Sequence, residues 1–156
     1  MHYASDNPLS GQTVLVTGAA RRIGAAICET LHAAGMNVAI HYRNSSIEAE
    51  QLAARLNADR DGSAKAFRAD LIEAGEPADL VRKVTVWADS LDALVNNAIY
   101  VGPGNDHRFL DIDADILDRR VRGKLTSQLD VTRRALAHLV ERGCGTVINL
   151  TSPAGY

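Results

Sequence analysis

The stretch TVLVTGAARRIG at residues 13–24 joins a short apolar run to a turn of small residues and then to the start of a helical pattern. Small residues let the backbone of such a turn approach a pyrophosphate, and the amides and dipole of the helix start favour its negative charge. Gly18 and Gly24 remain from the usual dinucleotide-binding fingerprint, and Arg22 stands where that fingerprint has another glycine. The stretch predicts a strand, a turn and a helix that bind a dinucleotide; a tight turn without a ligand is the alternative.

Outward from this stretch, short apolar runs alternate with longer segments of helical period. The apolar runs lack polar alternation, as expected of parallel strands covered on both faces. They span residues 13–17, 37–42, 64–68, 93–96 and 146–150, and the helical segments lie near residues 22–34, 46–58, 77–90 and 114–141. Repeated strand-helix units predict an α/β fold with a parallel sheet.

The composition is that of an ordinary globular protein, with 46% hydrophobic and 23% charged residues in a chain of 156. This length predicts one domain over residues 1–156, with residues 1–12 as a leader. The formal net charge of −2 gives no general attraction for nucleic acid. Neither a signal peptide nor a membrane-spanning run is found, so we expect a cytoplasmic protein. Cys28 and Cys144 stand alone, which indicates reduced thiols and no metal site.

The end of the second predicted strand indicates which dinucleotide is bound. NAD-binding proteins usually place a carboxylate there to hold the ribose 2′-hydroxyl. This sequence has no acid at that point and instead carries His41, Arg43, Asn44 and Ser45. A guanidinium binds a 2′-phosphate through paired hydrogen bonds, whereas a carboxylate repels it. The segment therefore predicts NADP(H) rather than NAD(H).

The first turn adds further predicted contacts to the coenzyme. Arg22 is expected to reach the same 2′-phosphate from the turn, which would place two cations around one dianion. For Arg21, a solvated surface charge is the simpler interpretation. The cofactor-binding residues predicted in the turn are Gly18, Arg21, Arg22, Ile23 and Gly24.

These segments together resemble the short-chain dehydrogenase/reductases, and residues 17–24 are most similar to the turn of pteridine-reductase-like members. Residues 41–45 are similar to the NADP-selecting segment of those proteins. Residues 94–98 (LVNNA) and 147–152 (VINLTS) resemble the family's fourth and fifth strands. The resemblance extends over nearly all of residues 13–152, with its motifs in the family's order.

The resemblance implies roles for further residues. Asp70 and Leu71 match the pair beside the adenine, and Asn97 and Ala98 match positions near the ribose and the nicotinamide. Asn96 is expected to be purely structural and to hold the sheet together.

Ser152 matches the catalytic serine, whose hydroxyl polarises a substrate carbonyl in this family. The resemblance therefore implies an NADPH-dependent oxidoreductase that transfers hydride to a carbonyl or related double bond of a small-molecule substrate. Pteridine reductases typically carry an aspartate at that position, so pteridine reduction is the alternative. Lys124, which stands where the family has an asparagine in its proton relay, favours a third interpretation, a non-catalytic NADP-binding module or fragment.

The sequence reaches Tyr156 before the position at which the family carries its catalytic tyrosine and lysine. The resemblance implies a Rossmann-type, doubly wound parallel sheet of strand order 3-2-1-4-5 in three layers. We expect this sheet to lack the last strands of the family fold, with the fifth strand at its edge. The missing part would then be a separate piece, or the chain a fragment.

The segment near residues 114–141 resembles the helix that pairs subunits in the family, which predicts a homo-oligomer. Its leucines fit a buried face, and packing on the chain's own sheet is the simpler interpretation for them. They are Leu125, Leu129, Leu136 and Leu139. The irregular segment at residues 97–107 is expected to be a mobile lid.

Overall fold

The fold is a parallel sheet of five strands, as the sequence predicts. The computed structural model describes residues 8–100 and 108–151. Within them the order is β3-β2-β1-β4-β5, which confirms the predicted order. The central register places Leu15 of β1 beside Ala39 of β2 and Leu94 of β4. The strands are β1 Thr13–Val16, β2 Asn37–Tyr42, β3 Ala64–Arg68, β4 Ala93–Asn96 and β5 Thr146–Asn149.

Helices cover both faces of this sheet and give three layers. They are α1 Arg22–Ala33, α2 Ser46–Asp59, α3 Glu76–Ala88, α4 Ala114–Val121 and α5 Ser127–Glu141. The single helix predicted over residues 114–141 is interrupted, because Arg122–Thr126 between α4 and α5 is π-helical. One π-helical turn inside an α-helix is uncommon and is often found at a functional site.

The core consists of two separate layers, one on each face of the sheet. Side chains of successive strand residues point to opposite faces, so Val14 and Val16 pack with α1 and α2, while Leu15 packs with α3 and α5. Both faces are covered, and all three of these β1 side chains have no exposed surface. This burial explains the uninterrupted apolar runs of the sequence.

The described surface corrects one expectation. Of the four leucines expected to pack on the sheet, only Leu139 is buried, while Leu125, Leu129 and Leu136 are 56%, 58% and 42% exposed. The other three leucines lie on the surface because α5 contacts the sheet through Val131, Ala135 and Leu139. Within the described residues, β5 pairs with β4 alone and forms the sheet edge, as expected.

Among the described residues, no helix has the length and apolar character needed to cross a membrane. The same part of the chain contains no group of three or more His, Cys, Asp or Glu residues that could hold a metal ion. Both cysteines are free thiols, and burial raises the pKa of Cys28 to about 12. The assignment of residues 1–156 to one domain stays a prediction.

Candidate nucleotide-binding site

Two glycines allow the turn after β1 to close tightly. Gly18 has φ +63°, and a Cβ there would lie 2.9 Å from Cα of Ala98. A Cβ on Gly24 would lie 2.5 Å from the Gly18 carbonyl oxygen and 2.7 Å from Nδ2 of Asn97. Because the nearest atoms are mainly backbone atoms, the chain cannot move aside for a larger residue. Both glycines are therefore required by the packing of the turn itself.

Arg22 adopts a backbone conformation that glycine usually supplies. Its φ is +53°, in the left-handed region, at the position where the dinucleotide fingerprint has a glycine. An L residue pays roughly 1–2 kcal/mol for this conformation. The arginine side chain is exposed beside the start of α1. Strain of this kind persists where the surrounding structure enforces it, and it is concentrated at ligand-binding sites.

The start of α1 has amides to offer an anion. Arg21 is its N-cap residue and makes no side-chain cap hydrogen bond. The first amides of an α-helix have no acceptor within the helix, which leaves those of Arg22, Ile23 and Gly24 without an intrahelical partner. Their partial positive charge favours a phosphate placed against the turn.

His41 uses the amide that precedes them. The backbone N–H of Gly18 donates to Nδ1 of His41 at 3.0 Å, and Nε2 of the ring lies 3.1 Å from the carbonyl oxygen of Ala69. Since Nδ1 accepts, the proton must be on Nε2, which donates to Ala69. The side chain is only 2% exposed, and burial lowers its pKa to about 4 against the opposing effects of the Ala69 bond and of Asp70 and Glu76.

The position of His41 differs from that of a direct phosphate contact. Both ring nitrogens are engaged inside the protein, and the His41 carbonyl oxygen accepts a hydrogen bond from the Ala19 amide at 2.8 Å. His41 therefore fixes the backbone of the turn after β1 through the amides of Gly18 and Ala19.

Thr17 and Asn97 join the turn to the end of β4. The Thr17 hydroxyl oxygen accepts hydrogen bonds from the amides of Asn97 and Ala98 at 3.0 and 2.9 Å. Nδ2 of Asn97 donates to the carbonyl oxygens of Thr17 and Gly18 at 2.8 and 3.0 Å. The ends of β1 and β4 thus form one rigid floor, in which Asn97 and Ala98 lie beside Gly18. The predicted contacts of Asn97 and Ala98 to the ribose and nicotinamide stay a prediction.

The preceding asparagine has the structural role expected of it. Asn96 is fully buried, and its Nδ2 donates to Oγ1 of Thr132 and Oδ1 of Asn149, both at 2.8 Å. These bonds join β4 to α5 and β5.

The end of β2 carries a cation near this floor. Arg43 is half-buried, and its guanidinium carbon lies 5.6 Å from the ring centroid of Tyr100. Asn44 is exposed and Ser45 is the N-cap residue of α2. Arg21 pairs with Glu48 at 3.6 Å on the surface, which fits the simpler interpretation of Arg21 as a solvated charge.

The end of β3 forms a further wall. Leu71 is buried, and Oδ1 of Asp70 accepts a hydrogen bond from the Ile72 amide at 3.3 Å. The Asp70 amide donates to the carboxylate of Glu76 at the start of α3. Asp70 and Leu71 are thus fixed beside β2, at the same edge of the sheet as Arg43.

The sequence did not single out several residues that shape this region. Thr17, Tyr100 and Gln128 were missed, and Nε2 of Gln128 donates to the Ala98 carbonyl oxygen at 2.9 Å. The position of Thr17 directly before Gly18 was an available signal, whereas the other two act across long separations in sequence. Lys124 is exposed within the π-helical segment. Ser152 and residues 101–107 of the expected lid lie outside the described residues.

This arrangement agrees with a family-level match. The model of the short chain dehydrogenase family matches residues 12–156. The chain belongs to the short-chain dehydrogenase family.

Three curated relatives that this chain matches have different names, and two of them are named as reductases. Nodulation protein G of Rhizobium meliloti (strain 1021) is 35% identical over 147 residues, which are 94% of this chain and 57% of the relative. A 3-oxoacyl-(acyl-carrier-protein) reductase of Synechocystis is 33% identical over 94% of this chain and 58% of the relative. Pteridine reductase 1 of Leishmania tarentolae is 40% identical over 101 residues, 54% of this chain and 35% of the relative. The chain spans little more than half of the first two relatives.

Solved family structures share the fold but differ in coenzyme. A short-chain dehydrogenase from Burkholderia cenocepacia J2315 in complex with NADP superposes with a TM-score of 0.82 at 30% identity, over 93% of this chain and 57% of that one. An NADH-dependent reductase responsible for alginate metabolism gives a TM-score of 0.84 at 28% identity, over 95% and 61%. The fold alone therefore does not select the coenzyme.

Proposed function

We propose that this chain is the coenzyme-binding part of an NADP(H)-dependent short-chain oxidoreductase. The observation that carries the proposal is the pair of cations at the site. Arg22 lies at the start of α1 and Arg43 at the end of β2, where NAD-binding proteins place a carboxylate. The first acid after β2, Glu48, faces Arg21. A 2′-phosphate is favoured at such a place, and the NADP-bound Burkholderia relative supports the assignment.

The described residues fit this coenzyme. The uncapped start of α1 offers amides to the pyrophosphate, and Gly18 and Gly24 keep side chains out of its path. By the family resemblance, Asp70 and Leu71 would border the adenine end, and Asn97 and Ala98 would border the ribose and nicotinamide end. When bound, the nicotinamide supplies or accepts the hydride. Ser152 is proposed to hydrogen-bond a substrate carbonyl and polarise it.

Pteridine reduction is the second candidate. It is favoured by the 40% identity to the Leishmania pteridine reductase over 101 residues. It is opposed by Ser152, because pteridine-reductase-like members resemble this chain in the turn but typically carry an aspartate there. Assays of the full-length protein with biopterin and with simple ketones separate the two, and comparable turnover of pterins would reverse the order.

A non-catalytic NADP-binding module is the third candidate, favoured by Lys124 in place of the family's asparagine. For this candidate, NADPH binds without being oxidised by any carbonyl tested.

A homo-oligomer is also proposed, supported by the exposed Leu125, Leu129 and Leu136, and sedimentation of the purified protein tests it. The cytoplasmic location and the absence of nucleic-acid partners stay predictions from the sequence.

Calorimetric titration of the purified chain tests the coenzyme assignment. NADPH and NADH are titrated separately at the same ionic strength, because contacts to a phosphate are salt-dependent. A preference for NADPH of roughly tenfold or more is expected from one charge-assisted contact of about 1.5–3 kcal/mol. Equal binding of the two coenzymes, or heat from neither, would contradict the proposal.

A further inference from the structure

Arg43 and Tyr100 form a bridge across the end of β1. Arg43 follows β2 and Tyr100 lies beyond β4, and β1 lies between these two strands in the sheet. The guanidinium carbon of Arg43 is nevertheless 5.6 Å from the centroid of the Tyr100 ring, within the range of a cation–π interaction. The pair thus lies at the carboxyl end of β1, where the turn with Gly18 begins.

The Tyr100 side chain packs against the π-helical segment between α4 and α5. Tyr100 is half-buried, and a Cβ on Gly123 would overlap the Cβ and Cγ atoms of Tyr100. Gly123 lies in the π-helical segment between α4 and α5 and is buried. The hydrogen bond from Gln128 to the Ala98 carbonyl oxygen fixes the backbone just before Tyr100. The helix therefore supports the ring at a defined distance from β2.

Contact with a ring face leaves the guanidinium free for a phosphate. A cation–π interaction is an attraction of the whole cation to the ring face, so it does not use up the five N–H donors of the guanidinium in hydrogen bonds. Among the described residues, no carboxylate forms an ion pair with Arg43. Within residues 8–100 and 108–151, the donors of Arg43 are thus not committed to an acid.

Resting on the proposed function, we propose that Tyr100 is a specificity-determining positioning residue. Its ring, supported by Gly123, holds the Arg43 guanidinium where it meets the 2′-phosphate of NADP(H). A free arginine must lose rotamer entropy when it binds a phosphate, and an aromatic support removes part of that cost before binding. The effect therefore falls on NADPH and leaves NADH, which has no 2′-phosphate, unaffected.

The test compares Tyr100→Leu with Tyr100→Phe in calorimetric titrations of NADPH and NADH. Tyr100→Leu is expected to weaken NADPH binding by roughly two- to fivefold, the range of an exposed cation–π contact, with NADH binding unchanged. Tyr100→Phe keeps the ring and is expected to retain the wild-type preference. Equal losses for both coenzymes, or tighter NADPH binding in Tyr100→Leu, would overturn the proposal; tighter binding would mean that the pair blocks the site.

A double-mutant cycle gives the second measurement. In an Arg43→Ala background, Tyr100→Leu is expected to cause no further loss of NADPH affinity, since the ring acts through the guanidinium. An additional loss of the same size would overturn the proposal. Gly123→Ala, which displaces the ring from the opposite side, is expected to lower the NADPH preference as Tyr100→Leu does. If the wild-type chain prefers NADPH and neither Gly123→Ala nor Tyr100→Leu changes that preference, this inference fails while the proposed function stands.

Discussion

The imidazole of His41 accepts a hydrogen bond from the Gly18 amide at 3.0 Å and faces the Ala69 carbonyl oxygen at 3.1 Å. One buried side chain thus joins the ends of β1, β2 and β3, the three strand ends that meet beside the proposed adenosine half of the coenzyme. The ring must stay neutral to accept from Gly18, and its low pKa keeps it neutral near physiological pH.

Different substitutions at His41 test its two hydrogen bonds one at a time. His41→Leu leaves the half-buried Gly18 amide and the carbonyl of buried Ala69 without partners, and we expect a loss of about 1–3 kcal/mol in the free energy of unfolding. His41→Asn places an acceptor near the Nδ1 position, and His41→Gln places polar atoms near Nε2. Urea unfolding and NADPH titration are the measurements. His41→Asn should retain more NADPH affinity than His41→Gln, and the reverse order would show that the Gly18 bond does not shape the site.

Stability is expected to fall as the pH is lowered below the ordinary histidine range. Above pH 6.5 the His41 ring is neutral in both the folded and the unfolded chain. Between 6.5 and about 4, only the unfolded chain binds the proton, so the folded state loses stability as pH falls. At about pH 5 the loss relative to neutral pH is about 2 kcal/mol from this residue.

Urea midpoints measured across this pH range test the assignment. Burial and the Arg60 charge also lower the pKa of His32, which adds a slope of the same sign. His41→Asn should therefore flatten the pH dependence without abolishing it. A slope identical to that of the wild-type chain would exclude His41 as its source.

Arg22→Gly separates phosphate binding from backbone strain. Glycine adopts a φ of +53° without penalty but costs more unfolded-state entropy, so the free energy of unfolding should change by less than about 1 kcal/mol. NADPH affinity should fall by roughly tenfold through loss of one charge-assisted contact. Titrations of NADPH and NADH check this, with Arg55→Ala on the exposed side of α2 as the control arginine, expected to have little effect. Equal effects of the two substitutions would argue against a specific role for Arg22.

Gly24→Ala should close the turn to the coenzyme. The new methyl group would meet the Gly18 carbonyl oxygen at 2.5 Å and Ala19 Cα at 2.8 Å, so the backbone of the turn must shift. We expect a loss of stability of about 2–3 kcal/mol and loss of measurable NADPH binding. Thermal unfolding and calorimetry are the measurements. Ala26→Ser on the exposed face of α1 serves as the control, expected to change stability by less than about 0.5 kcal/mol.

The sequence by itself determined the strand-turn-helix start, the parallel strands buried on both faces, and the arginines Arg22 and Arg43 that follow β1 and β2. Each depends on a local signal: apolar runs without alternation, small residues at 18–20, and the absence of an acid after β2. These signals are local because a strand buried on both faces and a turn that approaches a phosphate restrict residue types position by position.

Only the tertiary structure decided what His41, Asn97 and Tyr100 contact. Gly18 lies 23 residues from His41 in the chain, and Tyr100 lies 57 residues from Arg43. Asn97 lies 80 and 79 residues from its partners Thr17 and Gly18. Such contacts follow from the register of the parallel strands and from the π-helical turn beside Gly123, neither of which has a periodic pattern in the sequence. The exposed leucines of α5 had the same cause, since the rotation of a helix against its sheet is set by packing and not by its own apolar content.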